Sequence, residues 1–568
     1  MKASDTDLKS LIEGVKQFMI PVYQRRFSWT ASDQRTKKMT VEKMWNDISD
    51  LMEDNHGDND GGIHFFGSIV TMPVLGSASE VSKFIVIDGQ QRLISSFILL
   101  SAIRNEAASL KFDDKSPYSR FVQKLENEYL FNEYRETQEK YKLMPAMQDR
   151  VDFFDIIDGK KSIGLNGRIV SAYRYFQEHI NKKTKPLKDP EEIAKYLESL
   201  KNTLLKRLRI VDVRLDQRDD PHDIFESLNY TGIPLSNWDL AKNYLLMHYE
   251  DPKIQEERYS HTISLIEKNI ETNSEDFLRD FIAMNGIFTT SRDIYSNFKV
   301  SLSGSENEHD IAYWDAKLDY LNKISNVYYN LFYVKNIEDP VIKDVLYFTK
   351  NILGTETHFP ILMKLFMLHE DGHIDENQLR LSVEKTAVYL LQESFTLFGM
   401  KAVNKVFPNI AKSLDGDALT ELSNEFSTDK DLEDELSRYD FSYKDKLARY
   451  LLFRLEQQIN KEAPSFDKIQ LEHIMPQTLT QDWKDDLGDD WENIHKDYLN
   501  RLGNLTITGY NQTLGNDTFN EKKTMDNGYK DSSMRITRDL THYERWGPAQ
   551  IEERGKRIAK EIAKMWLI

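Results

Sequence analysis

The chain has 568 residues, a length that exceeds one hydrophobic core and predicts about three or four structural units. Hydrophobic residues make up 40% and aromatic residues 11%, which excludes a disordered chain, and the lack of cysteine excludes disulfides and thiolate metal sites. The net charge of −18 argues against a protein that coats nucleic acid non-specifically, because such binding depends on neutralising phosphates. An enzyme that binds DNA through local basic strips is not excluded.

The sequence gives no sign of export or of a membrane anchor. No apolar run follows Lys2, so we expect no signal peptide. No window reaches about 18 apolar residues, so we expect no membrane-spanning segment. With the lack of cysteine, this favours a cytoplasmic location.

The first 249 residues have a mixed α/β pattern. Residues 9–18 are predicted to form a short helix. Residues 64–70 are predicted to form a strand whose partner is the apolar strand at 84–87. Apolar residues alternate along 209–215, which predicts a further strand.

The run IPVYQRRFSW at residues 20–29 combines a proline, three aromatic residues and two adjacent arginines. Aromatic rings interleaved with arginines suit a surface that stacks a base and binds phosphate. The alternative is that Phe27 and Trp29 are core residues and that the arginines are solvated.

The polar turn DGQQR at residues 88–92 joins the strand at 84–87 to a helix with apolar residues at helical spacing. Backbone N–H groups at a helix N-terminus attract anions, phosphate above all. Asp88 could hold a metal or a sugar hydroxyl, the two glutamines could bond a base or ribose, and Arg92 could bind a phosphate. The alternative is a polar corner in which Arg92 makes a surface ion pair.

A second polar turn precedes a helix for which Ser236 is the predicted N-cap. Asn229, Lys242 and Asn243 lie on either side of this turn and are able to converge on one ligand. The alternative is that Asn229 only stabilises the turn. The following residues, 250–449, have an almost wholly helical pattern, and we find no catalytic or binding motif among them.

The last segment, residues 450–568, changes character. His473 lies near the end of a predicted strand, Asn504 begins another, and a further asparagine-rich stretch precedes a helix. This order suits one-metal phosphodiester hydrolysis, in which His takes a proton from water and carboxylate or amide groups hold Mg²⁺ or Mn²⁺. From residue 501 onward there are 12 Lys and Arg against 9 Asp and Glu, and Lys522 and Lys523 could meet a DNA backbone. The alternative is a capped hairpin with a structural His.

Several of these motifs, in this order, resemble a known family. The IPVYQRRFSW, FFGSIV, DGQQR and FESLN…DLAKN stretches resemble the ParB-related domain of GmrSD-type, modification-dependent (type IV) restriction endonucleases. The EHIMP, LGNLTITGYN and NDTFNEKK stretches resemble their HNH (ββα-metal) nuclease domain. The resemblance implies a mostly helical α+β chain with a ParB-like α/β domain at 1–249, a helical middle at 250–449 and a nuclease domain at 450–568.

The resemblance also implies roles for single residues. In the nuclease domain, His473 would be the general base, Asn504 would orient the His473 loop, and Asn511 and Glu472 would be metal ligands. Glu472 stands where many HNH enzymes have Asp, so it would be a second ligand with a longer reach. The residues expected to face a nucleoside triphosphate are Asp88, Gly89, Gln90, Gln91 and Arg92, with Arg25 and Lys242 as weaker candidates.

The leading hypothesis is therefore an anti-phage endonuclease that couples nucleotide binding and hydrolysis to metal-dependent cleavage or nicking of modified DNA. We expect DNA and a nucleoside triphosphate as partners, expect no membrane, and leave a homo-oligomer open. One alternative is a nucleotide-gated DNA-binding regulator without nuclease activity. Another is a toxin-like RNase that uses the same metal site.

Overall fold

The structure is a computed structural model. It describes residues 2–31, 40–53, 62–74, 81–112, 115–133, 135, 137–160, 167–216, 219, 224, 235–249, 251–303, 310–395, 400–425, 429–509 and 514–565. The chain forms two compact units. The N-terminal unit contains Met1–Leu265 and Ser305–Leu318, and the C-terminal unit contains Ile266–Gly304 and Asp319–Ile568.

The N-terminal unit is built on a mixed six-stranded sheet with the order β1-β6-β3-β4-β2-β5. Its strands are β1 (Lys2–Asp7), β2 (Lys16–Met19), β3 (His64–Pro73), β4 (Ser82–Asp88), β5 (Leu143–Met144) and β6 (Leu208–Arg214). Strand β4 pairs antiparallel with β3 and parallel with β2, and β3 pairs parallel with β6. The predicted pairing of the strands at 64–70 and 84–87 is thus confirmed.

The helices that precede β6 are α1 (Leu8–Ile12), α2 (Val41–Glu53), α3 (Gln90–Ala108), α4 (Phe121–Leu125), α5 (Arg150–Ile157), α6 (Arg168–Thr184) and α7 (Pro190–Asn202). Helix α3 is buried on most of its surface, because it packs in the centre of the main core against the sheet and the other helices. The opposite face of the sheet carries a smaller core around Val70, Ile87 and Leu215. Helix α3 therefore has a fixed position at the end of β4.

The next helices in chain order are α8 (Asn237–Met247), α9 (Pro252–Arg258), α10 (Ser264–Ile270), α11 (Ser274–Met284), α12 (Ile294–Leu302), α13 (Ile311–Tyr333), α14 (Pro340–Tyr347), α15 (Phe359–Glu370), α16 (Glu376–Glu393), α17 (Met400–Ser413), α18 (Ala418–Glu425), α19 (Asp429–Arg438) and α20 (Asp445–Ile459). Helix α8 begins at the predicted N-cap, since Ser236 and Asp239 form a capping box. Short π-helical turns lie at Glu126–Leu130, Thr203–Arg207, Tyr259–Ile263 and Phe348–Leu353.

The end of the chain contains a two-stranded antiparallel sheet of β7 (Gln470–His473) and β8 (Leu505–Thr508). The helices here are α21 (Gln481–Leu487), α22 (Trp491–Tyr498), α23 (Phe519–Thr524), α24 (Arg535–Arg538) and α25 (Pro548–Met565). Their core includes Ile474, Trp483, Phe519, Trp546 and Ile551. Within the part of the chain that the structure describes, no helix has the length and apolar content to cross a bilayer.

The prediction of a mostly helical α+β fold is confirmed. The prediction of one helix over residues 9–18 is wrong, because the helix ends at Ile12 and strand β2 begins at Lys16. Gly14 lies between them with a φ of 89°, a left-handed conformation that a helix does not continue through. The division at residues 249 and 449 stays a prediction.

Candidate functional site

The DGQQR turn lies where β4 ends and α3 begins. Asp88 is the last residue of β4, Gly89 is the N-cap of α3 with a φ of 92°, and Gln90 is the first helical residue. A Cβ atom at Gly89 would lie 2.9 Å from the Ser68 carbonyl oxygen on β3. The turn therefore needs glycine both for its backbone conformation and for its close approach to the neighbouring strand.

Replacing Gly89 with alanine should destabilise the N-terminal unit, and Gly14→Ala provides a matched control. Both glycines have nearly the same positive φ, 92° and 89°, but a Cβ at Gly14 meets nothing within 4 Å. In both variants the alanine is strained by the left-handed backbone conformation, at a cost of about 1–2 kcal/mol. Only Gly89→Ala also overpacks a close contact, which costs about 1–3 kcal/mol more. Urea unfolding of the two variants measures the difference, and equal destabilisation would contradict the close contact.

Arg92 is anchored on the backbone of β3. Its Nη1 donates to the Ser68 carbonyl oxygen at 3.0 Å and lies 3.8 Å from Asp88 Oδ2. The guanidinium packs on Gly67, where a Cβ would lie 2.6 Å from Arg92 Nε. The side chains of Asp88 and Arg92 are 40% and 28% exposed, so both remain accessible to a ligand.

Gln91 does not face a ligand, and its predicted nucleotide contact is wrong. The side chain is buried, its Oε1 accepts from the Ser28 backbone N–H at 2.7 Å, and its Nε2 donates to the Arg26 carbonyl oxygen at 3.4 Å. Gln24 acts in the same way, since its Nε2 donates to the carbonyl oxygens of Val86 and Ile87. Gln24 therefore ties the IPVYQRRFSW run to the end of β4, and Gln91 ties it to the DGQQR turn.

The aromatic residues of the IPVYQRRFSW run are core residues, as the alternative interpretation held. Tyr23, Phe27 and Trp29 are each at most 5% exposed, so they do not form a base-stacking surface. Arg25, in contrast, is half-buried. Burial lowers the pKa of Arg25, while the nearby carboxylates of Asp239 and Asp88 act in the opposite direction.

Helix α8 adds charged groups to the same region. Lys242 is buried, and its Nζ lies 3.6 Å from Asp239 Oδ1. With its amide oriented to donate, Asn243 reaches the Tyr23 carbonyl oxygen at 2.5 Å. The structure thus brings Arg25, Asp88 and the Asp239–Lys242 pair together, whereas Asn229 lies outside the described residues.

The second cluster of predicted residues lies on β7, β8 and α23. Strands β7 and β8 pair antiparallel, with His473 opposite Leu505 and Glu472 opposite Thr506. A capping box formed by Thr518 and Glu521 begins α23. The predicted residues Glu472 and His473 thus lie on one of two paired strands and Lys522 lies on a helix, and the assignment of a ββα-metal domain stays a prediction.

His473 is the half-buried residue at the end of β7. Its Nε2 lies 3.2 Å from Asn500 Oδ1. Burial lowers the pKa of His473, and the hydrogen bond with Asn500 and the carboxylate of Asp445 oppose this shift. A lowered pKa keeps the imidazole neutral near pH 7, the form able to accept a proton.

Asn504 is fully buried and holds the chain that follows His473. Its Oδ1 accepts from the Met475 backbone N–H at 2.8 Å, and its Nδ2 donates to the carbonyl oxygens of Met475 and Leu499 at 3.0 and 2.8 Å. Trp546 Nε1 donates to the same Oδ1 at 2.9 Å. Asn504 thus ties the backbone at Met475 to that at Leu499, and its role in orienting the His473 loop stays a prediction.

Lys522 is buried beneath the site, so the prediction that it contacts a DNA backbone is wrong. The side chain is fully buried, and its Nζ lies 2.7 Å from Glu472 Oε1 and 3.2 Å from the His473 carbonyl oxygen. Tyr529 OH also donates to Glu472 Oε1, at 3.4 Å. Burial raises the pKa of the Glu472 carboxyl, and the ammonium of Lys522 opposes the rise.

The remaining predicted residues have different outcomes. Lys523 donates to the Tyr543 carbonyl oxygen at 3.0 Å and lies 5.6 Å from the centre of the Phe519 ring.

Of the predicted metal ligands, Asn511 lies outside the described residues. Among the residues described, no three His, Asp or Glu side chains converge as metal ligands. The metal-ligand roles of Glu472 and Asn511 stay predictions.

Two matches with family models cover these two clusters. Residues 8–246 match the N-terminal domain of the GmrSD restriction endonucleases, and residues 426–561 match their C-terminal domain. The chain belongs to the GmrSD restriction endonuclease family. The DGQQR turn lies within the first GmrSD match, and His473, Asn500 and Asn504 lie within the second.

A curated relative, an uncharacterized protein of Methanocaldococcus jannaschii, is 26% identical to this chain over 313 residues. The alignment covers 51% of this chain and 51% of that protein. The chain thus spans about half the length of the curated relative that it matches.

Proposed function

We propose that this GmrSD family member is an endonuclease that cleaves or nicks modified DNA at the His473 site. We also propose that a nucleoside triphosphate bound at the DGQQR turn controls this cleavage. The observation that carries the nuclease proposal is the half-buried His473 at a strand end, whose pKa burial lowers, with the chain that follows it held by the buried Asn504.

The chemistry begins with a proton transfer. His473 takes a proton from water, the resulting hydroxide oxygen attacks the phosphorus, and the bond from phosphorus to the leaving oxygen breaks. Lys522 and the β8 pairing keep the His473 backbone in place during this step. A divalent cation, Mg²⁺ or Mn²⁺, would supply charge stabilisation at the scissile phosphate.

The charge of the last segment supports DNA as the substrate. Lys and Arg outnumber Asp and Glu from residue 501 onward, 12 to 9, in a chain whose net charge is −18. With Lys522 buried, Lys523 remains the proposed contact with the DNA backbone, near the end of helix α23. Local positive charge of this kind attracts phosphates while the rest of the surface stays acidic.

The nucleotide proposal rests on the charges around the DGQQR turn. Arg92 and Arg25 are partly exposed cations near Asp88, and Gln90 begins the N-terminal turn of α3. The phosphates of a nucleoside triphosphate can bind to the backbone N–H groups at the helix N-terminus and, at the same time, form paired hydrogen bonds with arginine side chains.

Replacing Arg92 with alanine should weaken nucleotide binding by about 10- to 100-fold, because a hydrogen bond to a charged group contributes about 1.5–3 kcal/mol. Calorimetric titration with ATP, CTP, GTP and UTP in turn measures this. Arg92→Lys keeps the positive charge but loses the paired N–H donors of the guanidinium. Arg120 is exposed, and Arg120→Ala serves as the control. Unchanged affinity in Arg92→Ala, for a nucleotide that the parent binds, would place the nucleotide elsewhere.

The whole proposal is tested on the full chain with phage genomic DNAs that carry different modified bases and with unmodified plasmid. Each DNA is incubated with and without Mg²⁺ or Mn²⁺ and with each nucleoside triphosphate. We expect nicks or breaks in a modified DNA that depend on the cation and change with nucleotide. DNA binding without cleavage would favour the regulator, and cleavage of RNA alone would favour the RNase.

A further inference from the structure

We propose that Asn500 is a positioning residue for His473 and that it determines which imidazole nitrogen receives the proton from water. This inference deepens the proposed function and rests on it. The amide oxygen of Asn500 holds the ring with its proton on Nε2, so that Nδ1 is the proton acceptor. The sequence analysis did not single out Asn500, because this residue lies before the LGNLTITGYN stretch and not within it.

The contact itself sets the tautomer. Asn500 Oδ1 lies 3.2 Å from His473 Nε2. An amide oxygen is only an acceptor, so a hydrogen bond here requires the proton on Nε2. In the neutral ring the other nitrogen then carries the free lone pair. Among the described residues, no hydrogen bond reaches His473 Nδ1.

The position of Asn500 is fixed from outside the site. Its carbonyl oxygen accepts from the Phe441 backbone N–H at 3.0 Å. The next residue, Arg501, forms a β-bridge with Asp440, and its Nε donates to the Asp497 carbonyl oxygen at 2.9 Å. The backbone that carries the Asn500 side chain is therefore held by contacts outside the site, as a positioning role requires.

The backbone of His473 is fixed independently of Asn500. Lys522 Nζ donates to the His473 carbonyl oxygen at 3.2 Å, and the Ile474 N–H donates to the Asn504 carbonyl oxygen at 2.9 Å. The freedom left to His473 is rotation of its side chain, which the Asn500 contact restricts. After the proton transfer both ring nitrogens carry protons, and the Nε2 proton still donates to Asn500. The contact thus persists through the reaction.

The first test reads the tautomer directly. Ring-¹⁵N-labelled histidine is incorporated into the full chain, and the His473 signals are assigned by their loss in His473→Gln. We expect the parent protein to carry the proton on Nε2. Asn500→Leu, similar in size but without an acceptor, should lose this preference, whereas Asn500→Asp should keep it.

Asn493→Ala is the matched control, because Asn493 lies on the preceding helix, is exposed and donates only to Asp490 among the described residues. It should leave the His473 signals unchanged. A parent ring with its proton on Nδ1, or an unchanged tautomer in Asn500→Leu, would overturn the proposal. This readout does not depend on nuclease activity, so it separates the failure of this inference from the failure of the proposed function.

The second test is kinetic. Loss of a partner that orients a reacting imidazole is expected to lower kcat for DNA cleavage by about 10- to 100-fold. We expect Asn500→Leu to do so with little change in KM, and Asn500→Asp to recover most of kcat. A role confined to folding would instead lower the amount of active enzyme in both variants alike, and that result would contradict the inference.

Discussion

Replacing His473 with alanine is expected to lower the rate of DNA cleavage by about 10²- to 10⁴-fold, because a positioned general base contributes that much to the rate. Nucleotide hydrolysis should remain nearly at the parental level, since the DGQQR turn belongs to the N-terminal unit and His473 to the C-terminal unit. Conversion of supercoiled modified DNA to nicked and linear forms measures the first effect. Phosphate release measures the second.

The control for this variant is His542→Ala, which removes an exposed imidazole from the same unit. It should cleave at the parental rate. Parental cleavage by His473→Ala would show that His473 is not the base. Loss of both activities, with a lowered thermal midpoint, would instead show that the alanine disturbs folding.

Replacing Gly503 with alanine should destabilise the C-terminal unit by about 1–3 kcal/mol or more, because the added methyl group overpacks a buried contact. A Cβ at Gly503 would lie 1.9 Å from the Ile551 carbonyl oxygen and 2.8 Å from the Gly555 N–H nitrogen, both in helix α25. Arg554 Nη1, on the same helix, donates to the carbonyl oxygens of Gly503 and Leu505. Helix α25 would have to shift away from Gly503, and this shift would also displace the adjacent Asn504.

Gly547→Ala is the matched control, since its nearest neighbour to a new Cβ is Gln550 Oε1 at an ordinary 3.8 Å. Urea unfolding followed by tryptophan fluorescence compares the two variants with the parent. We expect a lower midpoint and slower DNA cleavage only in Gly503→Ala. Equal midpoints would contradict the close packing of α25 against residues 502–504.

Local patterns predicted the parts of the fold that depend on neighbours in sequence. The strand, glycine turn and helix around Gly89 follow from an apolar run, a residue that tolerates positive φ and helical spacing. The Ser236 cap was predictable for the same reason. The helix predicted over residues 9–18 failed because Gly14 interrupts a run that otherwise reads as helical.

Contacts between distant residues were not predictable in this way. Gln91 resembled a ligand residue, but its partner Ser28 lies 63 residues earlier in the chain. Asn500 reaches His473 across 27 residues, a spacing that carries no periodic signal. Polar groups in a motif can therefore hold the motif together instead of facing its ligand, and only three-dimensional placement distinguishes the two roles.

The buried Lys522–Glu472 pair has a consequence for how this nuclease domain can diverge. Removing one partner of a buried ion pair typically costs about 3–5 kcal/mol, because the other charge stays behind without compensation. Positions 472 and 522 are 50 residues apart in the chain, and we expect substitutions at the two positions to occur together. A lineage that exchanges the glutamate for a neutral residue must lose the lysine at nearly the same time.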